Sequence, residues 1–249
     1  MLHSGLVSVS FRAFSAEEII ALVVKAGLKG IEWGGDIHVP HGDVKRAAEV
    51  GRMTGNAGLK TAAYGSYYIA GREGQGTVPF EKVLESAVAL KAPTIRIWAG
   101  DRGSGEADAA WRSKVTEDSR HIAALAEKEG ITISFEYHRD TLTDTPESAY
   151  ALLKGINHKN IRTYWQQNFN EGLEAGLKSI DTVTPWLSNI HVNRLADGFN
   201  EWQSYVNHIK GIDGERFIML EFVKNNDPEA FLKDAEALKQ LLAGMSANG

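Results

Sequence analysis

Two glutamates stand at equivalent points of two similar stretches of the sequence. In residues 131–145 an apolar, strand-like run leads to Glu136, and a polar turn then precedes a Thr-Pro helix start. In residues 217–229, Glu221 follows an apolar run in the same way, before an Asp-Pro helix start. A Thr or Asp N-cap followed by proline is typical of a helix start. Carboxylates at the carboxyl ends of parallel strands lie where α/β proteins place their chemistry, so the repetition predicts one shared site.

Other donor side chains stand where further predicted strands end. Gln166 follows the sixth predicted strand, and His191 and Asn193 lie at the end of the seventh. Two carboxylates, an amide and an imidazole from four consecutive strands can converge on one cation. Oxygen donors dominate this set, which favours Mn²⁺ or Mg²⁺, while the imidazole leaves Co²⁺ or Zn²⁺ open. We therefore predict a divalent metal site formed by Glu136, Gln166, His191 and Glu221.

Aromatic, basic and amide side chains near the strand ends are candidates for binding a substrate. Tryptophan and tyrosine rings predict an apolar wall, although barrel interiors are packed and core filling suits the same rings. His38 and His138 each follow a strand end, which is compatible with a substrate contact or with a loop cap. Arg96 lies within a strand, which indicates a buried acidic partner, Glu32 or Glu136. The predicted substrate-binding residues are Trp33, His38, Tyr64, Tyr68, Arg96, Trp98, His138, Trp165 and Asn193.

The stretch 65–78 is rich in glycine and tyrosine. Its length and composition predict a loop over a pocket rather than a core element. Since its glycines permit motion and Tyr67 and Tyr68 supply cover, we predict a lid that closes over the pocket.

Eight strand-like runs alternate with eight amphipathic stretches along the chain. The predicted strands are 6–11, 30–33, 60–64, 94–98, 131–135, 160–165, 189–193 and 216–222. The predicted helices are 16–26, 43–56, 79–90, 109–128, 146–155, 174–184, 201–210 and 227–243. Alternating units imply a parallel sheet, and eight of them in about 250 residues favour a closed barrel over an open sheet. We predict an α/β fold, a single (β/α)8 TIM barrel that spans residues 1–249.

Composition excludes several classes of protein. The net charge of −5 offers no overall attraction to nucleic acid or to an anionic membrane. The chain has no cysteine, which excludes disulfides and thiolate metal ligands. No segment is typical of a signal peptide or of the roughly 20 apolar residues that span a bilayer. We expect a cytoplasmic protein with no nucleic-acid or membrane partner, and the sequence leaves open whether it forms a homo-oligomer.

The sequence resembles the xylose isomerase-like TIM-barrel superfamily, the sugar isomerases and epimerases related to tagatose 3-epimerase. The resemblance covers essentially the whole chain and rests on four strand-end motifs: GIEW at 30–33, FEYH at 135–138, NIH at 189–191 and LEF at 220–222. It implies that Glu136, His191 and Glu221 bind a metal ion and that the two glutamates also move protons.

The sequence departs from the family pattern after the sixth strand. The resemblance implies an aspartate as fourth metal ligand, often followed three residues later by a histidine. Gln166 and Phe169 stand at these two positions. An amide oxygen carries only a partial charge, so we predict that this chain binds its metal more weakly than its relatives do.

The resemblance implies a metal-dependent sugar isomerase or epimerase acting on a small-molecule sugar. A divalent cation would chelate a carbonyl and an adjacent hydroxyl and stabilise the enediolate formed when the α-proton leaves. Glu136 and Glu221 would face each other across the sugar as an acid/base pair.

Two other functions stay open at this point. One is a non-catalytic sugar-binding barrel with a degenerate metal site, which the presence of Gln166 keeps open. The other is an endonuclease IV-type metal hydrolase, a class that needs several metals and a basic surface facing DNA. The sequence offers few strand-end histidines and little positive charge for that class, so we expect the sugar isomerase or epimerase.

Overall fold

A computed structural model describes residues 1–72, 74–75, 77–168, 171–193, 195 and 199–244. Within these ranges eight strands alternate with eight α-helices. The strands are β1 Leu2–Val7, β2 Gly30–Gly34, β3 Lys60–Ile69, β4 Thr94–Trp98, β5 Thr132–Phe135, β6 Ile161–Gln166, β7 Leu187–Val192 and β8 Arg216–Leu220. The helices are α1 Ala16–Ala26, α2 Val44–Asn56, α3 Phe80–Leu90, α4 Ala109–Lys128, α5 Pro146–Ile156, α6 Leu173–Val183, α7 Phe199–Lys210 and α8 Pro228–Ala243.

The strands form a closed parallel barrel in sequence order. β8 pairs with β1 in parallel, with Phe217 opposite His3 and Leu220 opposite Leu6, which closes the sheet on itself. The predicted (β/α)8 TIM barrel is therefore confirmed. Over the described ranges, none of these helices is both long and apolar enough to cross a membrane.

Strand alternation divides the side chains between the barrel interior and the helical layer. Trp33 of β2 points outward, where its Nε1 donates to Thr54 Oγ1 of α2 at 3.2 Å. Trp165 of β6 does the same towards α6, donating to Ser179 Oγ at 2.7 Å. Both indoles are fully buried. The main apolar core therefore lies between the sheet and the helices, and the interior is left to other side chains.

The predicted helix starts are formed by the expected caps. Ser15 Oγ accepts from the Glu18 backbone amide at 3.2 Å, while the Ser15 amide donates to Glu18 Oε2 at 2.7 Å, a capping box. Thr145 caps α5 and Asp227 caps α8, each with proline in the first turn. These caps fix where the chain leaves the carboxyl-end loops that follow Glu136 and Glu221.

The largest differences from the predicted strand bounds are in β1 and β3. β1 spans Leu2–Val7 instead of 6–11, and a 3₁₀ turn at Ser8–Phe11 follows it. The chain can leave the sheet here because Ser8 Oγ accepts from the Gly34 amide at 2.9 Å. β3 runs to Ile69, past its predicted end at residue 64, with a register irregularity after Gly65.

Helices α2 and α3 approach closely at a glycine. A Cβ on Gly51 would lie 2.6 Å from the Leu90 backbone oxygen, whereas a Cβ on Gly55 of the same helix would meet nothing within 4 Å. We expect Gly51→Ala to lower the free energy of unfolding by about 1–3 kcal/mol, because rigid backbone must move.

The matched variant Gly55→Ala should raise the free energy of unfolding by about 0.4–1 kcal/mol, since alanine favours the helix and restricts the unfolded chain. Urea titration of both variants measures the difference. Equal effects at the two positions would show that the helices separate freely at Gly51.

Candidate metal centre and active site

Glu136, His191 and Glu221 meet at the carboxyl end of the barrel. Glu136 follows β5, His191 lies in β7, and Glu221 follows β8. Nδ1 of His191 lies 3.3 Å from Glu221 Oε2 and 3.7 Å from Glu136 Oε1. Each residue offers one ligand atom, and these atoms all lie within 4.8 Å of one another. All three side chains are buried, so the group forms a compact site that could hold a metal ion.

A buried ion-pair network adjoins these three side chains. Arg96 Nε donates to Glu32 Oε1 at 2.6 Å, and Arg96 Nη1 donates to Glu136 Oε2. The second oxygen of Glu32 lies 3.3 Å from His191 Nε2. Both carboxylates that the sequence offered as partners for Arg96 therefore pair with it. Glu32 was not among the predicted site residues, although the GIEW motif places it at the end of β2.

Charges in the network stabilise one another in the metal-free protein. Burial opposes ionisation of Glu32 and Glu136, but Arg96 and His191 outweigh it and hold the pKa of both carboxyls below the usual value. Burial likewise disfavours the cation on His191, yet Glu221 and Glu32 raise its pKa well above the usual value. A cation bound at Nδ1 would therefore displace a proton from this ring.

The two glutamates of the site are held differently. Oε2 of Glu136 accepts from Arg96 Nη1 and from Trp98 Nε1, the latter at 2.6 Å. Its backbone oxygen accepts from Thr143 Oγ1 at 2.6 Å, which fixes the start of the loop after β5. Glu136 is thus held through Oε2 with Oε1 toward His191, whereas the contact given for the Glu221 carboxylate is the one from Oε2 to His191; both glutamates line the cavity.

A cavity of about 520 Å³ opens above the group. Four of the nine predicted substrate-binding residues line it, together with Gln166: Arg96, Trp98, His138 and Asn193. The His138 imidazole stacks on the Trp98 indole with ring centroids 5.2 Å apart. Tyr67 also lines the cavity, with its ring 4.9 Å from the Arg96 guanidinium carbon. These rings form an aromatic wall beside the acidic group.

Three predicted aromatic residues lie outside the cavity lining because the strands point them outward. Trp33 and Trp165 bond to the helical layer as described above. Tyr64 donates to the Val39 backbone oxygen at 2.8 Å and contacts His41, in the loop after β2. In each case the neighbouring residue one position away faces the interior instead, since successive side chains alternate.

Tyr68 and His38 also lie away from the cavity. Tyr68 packs on Phe80 of α3, and its hydroxyl donates to Asp118 of α4 at 3.1 Å. His38 is buried against Trp33, with Nδ1 3.0 Å from Ser8 Oγ. Tyr68 therefore joins β3 to α3 and α4, and His38 holds the loop after β2 against Trp33 and Ser8. Of the two tyrosines predicted as cover, Tyr67 lines the cavity and Tyr68 does not; the first residues of the predicted lid belong to β3, and residues 73 and 76 lie outside the described residues.

Gln166 ends β6 beside His191 of β7, and its side chain lines the cavity. Within the described residues, the buried atoms Gln166 Oε1, Asn193 Oδ1 and His191 Nδ1 have no hydrogen-bond partner. Buried polar atoms without a hydrogen-bond partner are uncommon unless a ligand completes them. The oxygen and nitrogen donors present fit a hard divalent cation. Phe169, the second position at which the sequence departs from the pattern implied by the resemblance, lies outside the described residues.

Replacing Gln166 by aspartate should tighten Mn²⁺ binding about tenfold, roughly 1.4 kcal/mol, because a full charge replaces an amide dipole. Calorimetric titration measures the affinity of both proteins. Gln167→Asp is the matched control, since Gln167 adjoins the same cavity but donates to Glu201 at 2.6 Å. An equal gain in both variants would mean that charge alone, and not ligation, is responsible.

Comparisons with known proteins agree with the fold. A 3-dehydroshikimate dehydratase from Bacillus anthracis is 28% identical over 127 residues, a match that spans 47% of this chain and 45% of that protein. The crystal structure of the probable 3-DHS dehydratase from that organism has a TM-score of 0.78 at 21% identity, covering 95% of this chain and 98% of the other. A D-allulose 3-epimerase from a Methylomonas species has a TM-score of 0.76 at 17% identity, covering 96% and 98%.

A family model described as xylose isomerase-like TIM barrel matches residues 20–241, most of the chain. The match includes every strand except β1, and all four residues of the predicted metal site. The resemblance inferred from the strand-end motifs is confirmed: the chain belongs to the xylose isomerase-like TIM-barrel family.

Proposed function

We propose that the protein takes a proton from the carbon next to a carbonyl in a small polyhydroxylated substrate, as a metal-assisted sugar isomerase or epimerase. The observation that carries this is the buried Glu136–His191–Glu221 group at the base of a cavity with an aromatic wall. A divalent cation held there would polarise the carbonyl and stabilise the enediolate. The residues of this chain would bind the sugar, exclude water and move the proton.

The unequal environments of the two glutamates support unequal roles. A carboxylate that accepts two N–H donors is stabilised as the anion and is a weaker base. Glu136 is held in this way by Arg96 and Trp98, so it serves best as a metal ligand. Glu221 carries no such pair of donors among its described contacts. We therefore assign the first proton abstraction to Glu221.

A single carboxylate suited to act as the base favours isomerisation over epimerisation. A proton that moves between adjacent carbons on the same face of an enediolate can be taken and returned by a single base. Inversion at a carbon requires an acid on the opposite face, and here the second carboxylate would be Glu136, whose anion Arg96 stabilises. An aldose–ketose isomerisation is therefore the form of the reaction that we propose first.

A dehydratase is the second candidate, favoured by the partial match to the 3-dehydroshikimate dehydratase. Loss of water from a β-hydroxy carbonyl compound starts with the same α-proton abstraction, so the same residues would serve. The two activities differ in the next step. In the dehydratase the C–O bond at the β-carbon breaks and the hydroxyl leaves as water, taking the proton that the base removed. In the isomerase the base returns that proton to carbon.

The site gives less support to the remaining alternatives. Among the described residues, Glu136, His191 and Glu221 are the one cluster of its kind, whereas an endonuclease IV-type hydrolase needs several metals. A non-catalytic sugar-binding barrel would bind a sugar in the cavity without exchanging its α-proton.

Proton exchange is the direct test. Aldoses, ketoses and cyclic β-hydroxy ketones are incubated with the protein and Mn²⁺ in deuterated water, the Mn²⁺ is removed, and NMR spectra are recorded. We expect deuterium at the α-carbon and an isomeric sugar. New vinylic or aromatic C–H signals would instead identify the dehydratase. Binding without any exchange would leave only the sugar-binding barrel.

A further inference from the structure

We propose that Glu32 is the positioning residue of the metal centre. Its two oxygens hold Arg96 on one side and Nε2 of His191 on the other, so that Nδ1 of His191 faces Glu136, Glu221 and a bound cation. The inference rests on the metal-binding part of the proposed function and is independent of which substrate reacts.

Four side chains from four strands form a closed ring of contacts. Glu32 contacts Arg96, Arg96 contacts Glu136, Glu136 lies near His191, and His191 returns to Glu32. Each of these residues is at most 5% exposed. Because every member touches two others, moving Glu32 would displace two members of the ring at once.

The His191 ring is oriented from three sides. Glu32 Oε2 lies 3.3 Å from Nε2, Glu221 Oε2 lies 3.3 Å from Nδ1, and the Tyr164 ring packs edge-on with centroids 4.9 Å apart. A histidine that binds metal through one nitrogen commonly donates its other N–H to a carboxylate, which fixes the tautomer and the ring plane. Glu32 supplies that carboxylate on the Nε2 side.

The neighbouring strand is built around the same pair. Gly65 of β3 leaves the space that Glu32 and Arg96 occupy: a Cβ there would lie 2.9 Å from Glu32 Oε1 and 2.8 Å from Arg96 Nη2. Glu32 itself is fully buried and lies outside the cavity lining. It therefore cannot touch a substrate in the cavity, and it acts through His191 and Arg96.

A purely structural role makes a different prediction. If Glu32 only neutralised Arg96, removing its charge would lower stability but leave the His191 nitrogen free to bind metal. If Glu32 positions His191, Glu32→Gln disturbs that ring. The amide has one oxygen to accept from Arg96 or from His191 Nε2, and it turns its N–H₂ group toward the other. The Nδ1 lone pair is then no longer held toward the cation. Metal affinity then falls even where the protein stays folded.

The experiment measures Mn²⁺ binding by calorimetry and the nitrogen coupling of bound Mn²⁺ by pulsed EPR. We expect Glu32→Gln to weaken Mn²⁺ binding about 10- to 100-fold and to reduce the imidazole nitrogen coupling. Glu32→Asp keeps the negative charge, so it should fold like the wild type. Its carboxylate lies one methylene further from His191, so this variant too should bind Mn²⁺ more weakly than the wild type does. This variant carries the test if Glu32→Gln unfolds.

Glu215→Gln is the matched control. Glu215 also joins a histidine and a cation, His3 at 2.6 Å and Lys60 at 2.9 Å, but near the amino ends of β1, β3 and β8. It should bind Mn²⁺ like the wild type. Wild-type affinity and nitrogen coupling in both Glu32 variants would overturn the positioning role alone. A wild-type protein that binds no Mn²⁺ would overturn the proposed metal-assisted function together with it.

Discussion

Glu221→Gln abolishes α-proton exchange while the barrel stays folded: this is the result we expect for the residue assigned as base. The amide has nearly the shape of the carboxylate and keeps an oxygen for a cation, but it cannot accept a proton at neutral pH. The expected loss in exchange rate is about 10²–10⁴-fold. NMR in deuterated water measures it on whichever substrate proves active.

Two controls separate chemistry from structure in this variant. Thermal melting tests whether the fold persists, and Mn²⁺ titration tests whether the loss follows from metal affinity. Glu136→Gln provides the comparison. Because Glu136 is held by Arg96 and Trp98, we expect that variant to lose metal affinity more than Glu221→Gln does. Exchange at the wild-type rate in Glu221→Gln would leave Glu221 a structural residue.

Arg96→Met should be the most destabilising single change in the site. The variant leaves Glu32 and Glu136 buried without their shared cation, and breaking a buried ion pair from one side lowers stability by about 3–5 kcal/mol. For a chain of this size the melting temperature should fall by roughly 6–20 °C. Calorimetric melting of the metal-free protein measures the change.

The pH dependence of this deficit has a definite sign. Arg96 helps to hold the pKa of Glu32 and Glu136 below the ordinary carboxyl value of 4.5. A lowered folded-state pKa contributes stability that is present above the unfolded value and lost as pH falls through the folded value. The difference in the free energy of unfolding between wild type and Arg96→Met should therefore be largest near pH 7 and should become smaller below about pH 4.5.

The double variant Arg96→Met/Glu32→Gln tests the cause. It removes the charge of one of the two buried carboxylates that Arg96→Met leaves without a cation. It should recover part of the lost stability, since the effects of substitutions within one network are not additive. If Arg96→Met melts at the wild-type temperature, the three side chains do not form a tight buried network in solution.

The fold could be predicted because its signals are local and repeated. Helix caps such as Ser15 and Thr145 and stop signals such as Gly27 and Gly130 mark the units one by one. Eight such units leave few topologies, since crossover connections in parallel sheets are right-handed. The predicted bounds of β1 were wrong because the sequence does not show that the strand ends before Ser8, which is visible there only as a small polar residue. Its bond to the Gly34 amide is a long-range contact.

The positions of the site residues could be predicted in part, and three predicted aromatic residues point away from the cavity for a geometric reason. Proximity to a strand end was taken as proximity to the site, but side chains alternate along a strand. Glu32 and Trp33 are neighbours, so if one faces the interior the other cannot. The same holds for Gly65 against Tyr64 and for Gln166 against Trp165. Applying the alternation to each pair would have moved the outward rings to the core and brought Glu32 into the site.

The residues around the metal centre divide unevenly between the two halves of the barrel. All the predicted ligands follow or lie in β5–β8, whereas Glu32 and Arg96, which orient two of them, come from β2 and β4. The link from Glu32 to His191 joins positions 159 residues apart. Because the ligands lie in one half and the other half orients two of them, a cation binds best to the joined barrel. A bound cation therefore opposes separation of the halves. Such a cation would report the final association of the two halves during refolding, through a change in its spectroscopic signal when β1–β4 join the half that carries the ligands.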